Sequence, residues 1–214
     1  VVDIPKDITA HATEYAYPQD VQIRSYFPAH TAHPKQISRA AELLLQARRP
    51  IIYTGGGVVL SGGAKQLTKL VDYLGFPCTN TLMGLGSLSF DHPCFVGWLG
   101  MHGTYESNMA MYECDVMLAV GARFDDRVTG DLKKFSPNAK IIHIDIDPAS
   151  IGKNVPVEIP IVGDASAALE QLHSALENSV NRPDPEVLSE WWTRIEDWRL
   201  RKSFAYDASE TVIK

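Results

Sequence analysis

The chain has 214 residues, enough for one sizeable α/β domain with appendages. Hydrophobic residues make up 45% of it and charged residues 21%, the balance of an ordinary globular protein. The formal net charge of −6 argues against non-specific binding to nucleic acid or to an anionic membrane surface. No apolar run reaches the roughly 18 residues of a membrane-spanning helix, so no membrane span is expected.

The cysteines Cys78, Cys94 and Cys114 are odd in number and none stands in a C-x-x-C pair. This spacing indicates neither a zinc site nor a disulfide framework. Each cysteine lies in or beside an apolar run, so we expect buried free thiols, which fits a reducing compartment.

The sequence up to His33 predicts a short strand and a linker. Val1–Asp7 carries the strand, which ends at Pro5, and the polar, proline-containing stretch after it should lie extended on the surface. The chain begins without Met, and we expect it to be a piece of a longer polypeptide.

From Pro34 onward, strand and helix patterns alternate. Helical spacing covers Pro34–Arg48, Gly63–Leu74, Thr104–Tyr112, Ala165–Leu176 and Trp191–Leu200. Short apolar runs predict strands at Pro50–Thr54, Phe76–Thr81, Phe95–Gly100, Val116–Val120, Ile141–Ile146 and Ile159–Val162. The alternation predicts an α/β fold, a three-layer Rossmann-like domain with a mostly parallel central sheet of about six strands. The last helix carries tryptophans on one face, and we expect it to dock onto a neighbouring domain.

Glycines and carboxylates follow several of these strands. Ligands of parallel sheets bind beyond the carboxyl ends of the strands, so the loops after them should converge on one edge. Glycine at Gly55–Gly57 and Gly121 would let backbone N–H groups approach a diphosphate, and Asp145 could accept from ribose hydroxyls. The triple glycine matches neither Walker A nor G-x-G-x-x-G, so a plain tight turn remains an equal alternative. His102, flanked by glycines, is either a functional group or part of a loop hydrogen bond.

Several strings of the chain resemble the catalytic subunits of the acetolactate synthase (acetohydroxyacid synthase) family, which are thiamine-diphosphate enzymes. They span most of residues 1–178 and read VDIPKD, YTGGG, TLMGLGS, GMHGTYESN, GARFDDRVTG and HIDIDPASIGKN. The resemblance implies that residues 31–180 are the central domain of three. Residues 1–30 would then be the end of an upstream pyrimidine-binding domain with its linker, and residues 181–214 a connector toward the diphosphate-binding domain.

The resemblance also implies that this domain holds FAD in an extended form, with a structural rather than a redox role. Carried over residue by residue, the family's FAD contacts fall on Arg24, Gly55, Gly56, Gly57, Thr81, Leu82, Met83, Leu99, Gly100, Met101, His102, Gly121, Ala122, Arg123, Asp125, Arg127, Val128, Asp145, Ile146, Ser150, Gly163 and Asp164. The channel to the family's active site, where herbicide-type inhibitors bind, would be lined by Met101, Asp126 and Arg127.

For the whole parent enzyme, the resemblance implies decarboxylation of pyruvate on thiamine diphosphate and condensation of the product with pyruvate or 2-ketobutyrate, in branched-chain amino-acid biosynthesis. The family's catalytic Glu belongs before Val1, and its Mg²⁺ and diphosphate motif after Lys214. We therefore expect no catalytic residue, no metal and no activity in this piece alone. The parent would form a homodimer or higher oligomer with a small regulatory subunit, bind neither nucleic acid nor membrane, and be cytoplasmic or, in a plant, stromal.

Three other interpretations stay open at this point. One is the central domain of a related thiamine-diphosphate carboligase or decarboxylase. Another is a stand-alone Rossmann-type dehydrogenase that uses NAD, with His102 as acid and base, although G-x-G-x-x-G is absent. The last is a non-catalytic nucleotide-binding regulatory module, which would bind AMP or ADP as well as FAD.

Overall fold

The computed structural model describes residues 3–20, 27–202 and 204–205. Within them the chain forms eight α-helices and six β-strands. The helices are α1 (Lys6–Thr9), α2 (Pro34–Leu45), α3 (Gly56–Leu60), α4 (Ala64–Leu74), α5 (Tyr105–Glu113), α6 (Asp126–Thr129), α7 (Ala165–Glu177) and α8 (Pro185–Arg199). The strands are β1 (Pro50–Thr54), β2 (Cys78–Asn80), β3 (Phe95–Trp98), β4 (Val116–Val120), β5 (Lys140–Asp145) and β6 (Ile159–Val162). A short 3-10 helix, Leu82–Gly84, follows β2.

The six strands form one parallel sheet in the order β3-β2-β1-β4-β5-β6. From β1 the chain continues toward β2 on one side of the sheet's centre, and from β4 it continues toward β5 on the other. Where the direction of winding changes in this way, the loops after two neighbouring strands diverge and leave a crevice beyond their carboxyl ends. In this fold that crevice lies between β1 and β4.

Helices cover both faces of the sheet, which confirms the predicted three layers. Helices α2, α4 and α7 pack on one face, against strand residues such as Ile52 and Leu118. Helices α5 and α8 pack on the other face, against the alternate residues such as Ile51 and Met117. Because both faces are covered, every residue of β1 and β4 is buried, and these strands are therefore almost entirely apolar in the sequence.

Capping residues set the ends of the helices around the sheet. Thr104 begins α5 as predicted, because its hydroxyl accepts a hydrogen bond from the backbone N–H of Ser107. Asp164 begins α7 in the same way, accepting from the backbone N–H of Ala167. Helix α4 ends at Gly75, whose φ of +65° places it in the left-handed region that favours glycine.

Two segments near strands differ from the prediction. The strand expected over Val1–Asp7 is wrong for the described residues, since Lys6–Thr9 forms α1 and residues 3–20 are exposed. A strand needs a partner for its backbone groups, and none of these residues pairs with the sheet. The glycine-rich segment after β1 is more than a turn, because Gly56–Leu60 forms the short helix α3.

Helix α8 packs on the sheet of this chain. That it also docks onto a neighbouring domain, as expected from the sequence, stays a prediction. Its Trp191 is 2% exposed, and the indole N–H donates to the carbonyl of Pro50, 3.0 Å away, at the start of β1. The Trp198 ring meets the Trp191 ring edge-on at a centroid distance of 5.7 Å. At the end of the helix, Arg199 donates to the carbonyl of Phe95 on the edge strand β3. Where the domain boundaries of a longer protein fall stays a prediction.

All three cysteines are free thiols, and Cys78 and Cys114 are buried as predicted, whereas Cys94 is half-buried. Burial raises the pKa of Cys114 to about 12, so this thiol stays protonated and unreactive. Among the described helices, none is long and apolar enough to cross a membrane.

Trp191→Ala should lower the free energy of unfolding by about 3–5 kcal/mol, the range for removing a buried Trp or Phe ring. The reason is that the ring fills the space between α8 and the sheet and its N–H satisfies the Pro50 carbonyl. Urea denaturation would measure this. Asp197→Ala, an exposed position on the same helix, is the control and should stay within about 0.5 kcal/mol of the native chain. Equal effects of the two changes would contradict the packing of α8 on the sheet.

Candidate functional site

The loops that follow the strands meet along one edge of the sheet. Each loop donates a backbone N–H to a carbonyl at the end of a neighbouring strand, at 2.8–3.1 Å: Leu99 to Asn80, Thr81 to Thr54, Gly55 to Val120, Gly121 to Ile144, and Gly163 to Asp145. A further bond joins the N–H of Met101 to the carbonyl of Arg127, 3.1 Å away, so the loop after β3 also reaches the segment after β4. The loops carrying the predicted ligand residues thus converge, as the sequence indicates.

The glycines at this edge allow two backbone segments to touch. A Cβ on Gly57 would lie 2.6 Å from the Cα of Gly121, and a Cβ on Gly55 would overlap the Gly121 carbonyl oxygen. Gly121 also has a φ of +58°, which favours glycine. The N–H groups of Gly55, Gly57 and Gly121 donate to Val120, Gly121 and Ile144 respectively. Three of the N–H groups expected to face a diphosphate are therefore already used within the protein. Contact of this glycine segment with a ligand stays a prediction.

Two arginines stand at the open side of the crevice. The Arg123 side chain is 79% exposed, and its guanidinium lies 3.6 Å from the carboxylate of Asp125. The backbone N–H of Arg127 donates to that carboxylate at 3.1 Å and holds the pKa of Asp125 below its ordinary value. An exposed ion pair of this kind is weak, so an anionic ligand can replace Asp125 as the partner of Arg123. Asp126 and Arg127 are exposed beside it.

The turn after β5 places a carboxylate at the same edge. The Asp145 side chain is 12% exposed, and one of its oxygens accepts the N–H of Asp147 at 2.9 Å. Ser150 donates its hydroxyl to Asp147, and this bond together with the Ala149 N–H lowers the pKa of Asp147. Ser150 therefore acts on the turn, while Asp145 lies at the end of β5 with little exposure.

Large apolar side chains are exposed in the same loops. Leu82 is 76% exposed, Met83 75%, Met101 64% and Ile146 42%. Met83 lies against the glycine segment, since a Cβ on Gly56 would be 3.2 Å from the Met83 Cβ. Several exposed large apolar groups in neighbouring loops indicate a surface that contacts an apolar ligand group or another protein segment.

Other predicted ligand residues are not open at this edge. Leu99 and Ala122 are 6% and 2% exposed. Gly163 is buried against Ala32, and the Asp164 carboxylate caps α7. Arg24 lies outside the described residues.

The remaining predicted positions have local roles in the loops. The Thr81 hydroxyl accepts the N–H of Gly84, and the carbonyl of exposed His102 accepts the indole N–H of Trp98. Gly100 has a φ of +106°, and a Cβ there would lie 2.9 Å from the Arg127 carbonyl. Val128 is half-buried. Among the described residues, no group of His, Cys, Asp or Glu side chains is arranged to hold a metal ion.

The sequence reasoning missed a buried histidine under this edge. His143 is fully buried, its Nε2 is 2.9 Å from the carbonyl of Ala122, and its Nδ1 has no partner among the described residues. The available signal was a histidine inside an otherwise apolar strand. Phe124, also missed, is 2% exposed and has a φ of +55°. No pattern in the sequence indicates that backbone conformation.

Gly121→Ala should destabilise the chain more than Gly152→Ala does. Both residues have positive φ, but a Cβ on Gly152 meets nothing within 4 Å, whereas one on Gly121 meets the backbone of Gly57. The left-handed conformation alone should cost about 1–2 kcal/mol in Gly152→Ala. The collision should add about 1–3 kcal/mol in Gly121→Ala. Urea denaturation of both variants tests this, and equal losses would contradict a backbone contact between the loops.

His143 makes stability depend on pH. Burial lowers its pKa below the ordinary 6.5, with Asp145 opposing this, so the unfolded chain takes up the proton at a higher pH than the folded chain. The contribution of His143 to the free energy of unfolding should therefore not change with pH above about pH 6.5. At lower pH the free energy of unfolding should decrease, by at most about 1.4 kcal/mol per pH unit. His143→Gln keeps an N–H donor but does not titrate, and its unfolding midpoint in urea should vary less between about pH 5 and 7. His102→Gln, at an exposed position, should retain the native pH dependence, and parallel curves for all three would contradict this assignment.

Comparison with known proteins places this geometry in a family. Residues 37–172, more than half of the chain, match the sequence profile described as thiamine pyrophosphate enzyme, central domain. The chain is 48% identical over 217 residues to the acetolactate synthase isozyme 3 large subunit of Escherichia coli (strain K12), covering 100% of this chain and 38% of that protein. It is 46% identical over 216 residues to the acetolactate synthase large subunit of Haemophilus influenzae, again covering 100% of this chain and 38% of that protein.

An archaeal relative gives the same result. The probable acetolactate synthase large subunit of Methanocaldococcus jannaschii is 49% identical over 178 residues, which are 82% of this chain and 30% of that protein. The chain thus spans less than two fifths of the length of these relatives. The profile match and the similarity confirm the resemblance drawn from the sequence strings. The chain belongs to the thiamine pyrophosphate enzyme family, whose central domain it matches.

Proposed function

We propose that this chain is the FAD-binding central domain of the catalytic subunit of an acetolactate synthase. The family match and the similarity to acetolactate synthase large subunits support the central-domain part. The assignment of FAD as the ligand is supported by the kinds of side chain that lie at the crevice. There the guanidinium groups of Arg123 and Arg127, the carboxylate of Asp145 and the exposed side chains of Met83 and Met101 lie on converging loops.

The donor set fits an extended dinucleotide. A guanidinium presents several N–H donors in a plane and binds phosphate oxygens well, so Arg123 and Arg127 would hold the diphosphate. Asp145 would accept from ribose hydroxyls. The exposed methionines would contact the flavin ring system, since thioether side chains adapt to flat apolar surfaces. Because the N–H groups of Gly55 and Gly57 are already donated, the two arginines would supply most of the hydrogen-bond donors to the phosphates.

In the parent enzyme this domain would bind and orient rather than react. Thiamine diphosphate with Mg²⁺, held by other domains, would supply the chemistry that decarboxylates pyruvate and condenses the product with pyruvate or 2-ketobutyrate. FAD on the present domain would have a structural role. Met101, Asp126 and Arg127, joined by the bond from the Met101 N–H to the Arg127 carbonyl, would lie beside the channel to the active site and limit what enters it.

The proposal also covers the pathway, the location and the assembly of the parent enzyme. It would act in branched-chain amino-acid biosynthesis, as a cytoplasmic homodimer or higher oligomer joined by a small regulatory subunit. The chain by itself should be inactive, because the family's catalytic Glu and Mg²⁺ motif have no counterpart in it. Acetolactate formed from pyruvate by this chain alone, with thiamine diphosphate and Mg²⁺ added, would contradict that part.

The test is titration of the chain with FAD, followed by flavin fluorescence. Saturable binding is expected, with the Kd raised about tenfold in Arg123→Ala and in Asp145→Ala, because each change removes a charged partner of the ligand. Arg48→Ala is the matched control, an exposed arginine before β1 at the opposite edge of the sheet, and should leave the Kd unchanged. Binding of AMP or ADP as tight as that of FAD would favour a regulatory nucleotide module instead. If the chain does not bind FAD, the same variants in the full-length parent decide whether neighbouring domains are required.

A further inference from the structure

A row of three side chains crosses the centre of the sheet beneath the crevice. Tyr53 of β1 pairs in register with Ala119 of β4, which pairs with His143 of β5. Neighbouring residues in register point to the same face of a parallel sheet. Two rings therefore flank one methyl group, and this leaves a space above Ala119. All three residues are completely buried.

The ring of Phe124 occupies this space. Its centroid lies 5.6 Å from the Tyr53 ring and 5.1 Å from the His143 ring, which it meets at an interplanar angle of 87°. The Phe135 ring covers it at 6.0 Å. These are favourable tilted and edge-to-face distances for aromatic pairs. Phe124 is thus inserted into the row of Tyr53, Ala119 and His143 from the loop that follows β4.

Two polar atoms of the row make no hydrogen bond that would explain why these residue types are there. Tyr53 Oη and His143 Nδ1 are buried without a hydrogen-bond partner among the described residues, which is unfavourable for both. What both side chains do provide is a flat ring on either side of Phe124. We therefore take ring contact with Phe124 to be the role of Tyr53, and to be one role of His143 beside its Nε2 bond to the Ala122 carbonyl.

The loop Gly121–Asp125 is held at three further points. His143 Nε2 bonds to the carbonyl of Ala122 at 2.9 Å. The side-chain amide of Asn154 donates to the carbonyls of Arg123 and Phe124, at 3.2 and 2.9 Å. Phe124 has a φ of +55°, a conformation that is unfavourable for a residue with a Cβ. The contacts of its ring and carbonyl retain it there.

The exposed and buried side chains of this loop alternate. Ala122 and Phe124 are 2% exposed, whereas the Arg123 and Asp125 side chains are 79% and 46% exposed. As long as the Phe124 ring stays between Tyr53 and His143, its two neighbours in the chain stay on the solvent side of the loop.

We propose that Phe124 is a positioning residue for the dinucleotide site. By inserting between Tyr53 and His143, its ring fixes the loop Gly121–Asp125 so that Arg123 and Asp125 face the crevice. The identity of the ligand as FAD rests on the proposed function, whereas the anchoring of the loop does not. The role predicts a change in the loop itself that is measurable with no ligand present.

The first measurement is limited proteolysis with trypsin, which cleaves after exposed arginines. In the absence of flavin, Phe124→Ala should increase the rate of cleavage after Arg123 about tenfold, while cleavage after exposed Arg201, beyond the end of α8, stays unchanged. Because residue 124 belongs to the cleaved bond, each rate is divided by the rate for the same variant unfolded in urea. Phe124→Leu, which keeps part of the buried volume, should lie between. Tyr53→Phe keeps the ring and should behave like the native chain, and Phe90→Ala removes an aromatic ring that is 78% exposed and serves as the matched control. Circular dichroism identifies the variants that remain folded.

The second measurement separates positioning from general stability. FAD titration of Phe124→Ala, Arg123→Ala and the double variant forms a double-mutant cycle. If Phe124 acts through Arg123, Phe124→Ala should raise the Kd about tenfold in the native background and by much less when Arg123 is already alanine. Independent effects of the two changes would overturn the positioning role. So would unchanged cleavage after Arg123 in a folded Phe124→Ala or Phe124→Leu. Absence of FAD binding by the native full-length parent would instead overturn the proposed function, leaving the proteolysis result to decide the anchoring.

Discussion

The contact between the backbones of Gly57 and Gly121 is the constraint on which the rest of the site depends. At the point where the winding of the sheet changes direction, the loops after β1 and β4 leave toward opposite faces. Here they are joined instead, because neither glycine carries a Cβ and because the Gly55 and Gly57 N–H groups donate across the gap. This closes the base of the crevice. It also commits the N–H groups of Gly55, Gly57 and Gly121, of the kind that such loops otherwise offer to a phosphate.

Those side chains stand on loops, and loops are the most mobile parts of a fold, so the core has to hold them. The loop after β4 is held through the ring of Phe124, which lies between Tyr53 and His143 on two different strands. Its carbonyl groups are bonded by His143 and Asn154. The buried rings inside the sheet and the charged side chains on the loop after β4 are therefore connected through Phe124. A change in the buried row would act on the charges at the surface.

Much of the fold could be predicted, because strands buried on both faces are apolar throughout. The bounds of β1, β4 and β6 agree with those predicted from apolar runs. The residues at the crevice were identified mainly through the resemblance, and their contacts with a ligand stay a prediction. What the sequence could not indicate depends on distant contacts. Helix α3 begins with two glycines, which disfavour helix, and is held by its contact with the loop after β4. The positive φ of Phe124 likewise depends on rings from other strands.

The two halves of the sheet differ in what they present at the crevice. The loops after β2 and β3 carry the exposed apolar side chains of Met83 and Met101. The end of β5 and the segments after β4 and β5 carry the charged residues Arg123, Arg127 and Asp145, together with one exposed apolar side chain, Ile146. A ligand that satisfies both halves needs an apolar ring system joined to anionic and hydroxyl groups, and it has to extend across the point where the winding changes. A simple phosphate or a mononucleotide held only by the charged half would leave the methionines exposed to water. This asymmetry supports the proposal of an extended dinucleotide with a large ring system over that of a smaller ligand.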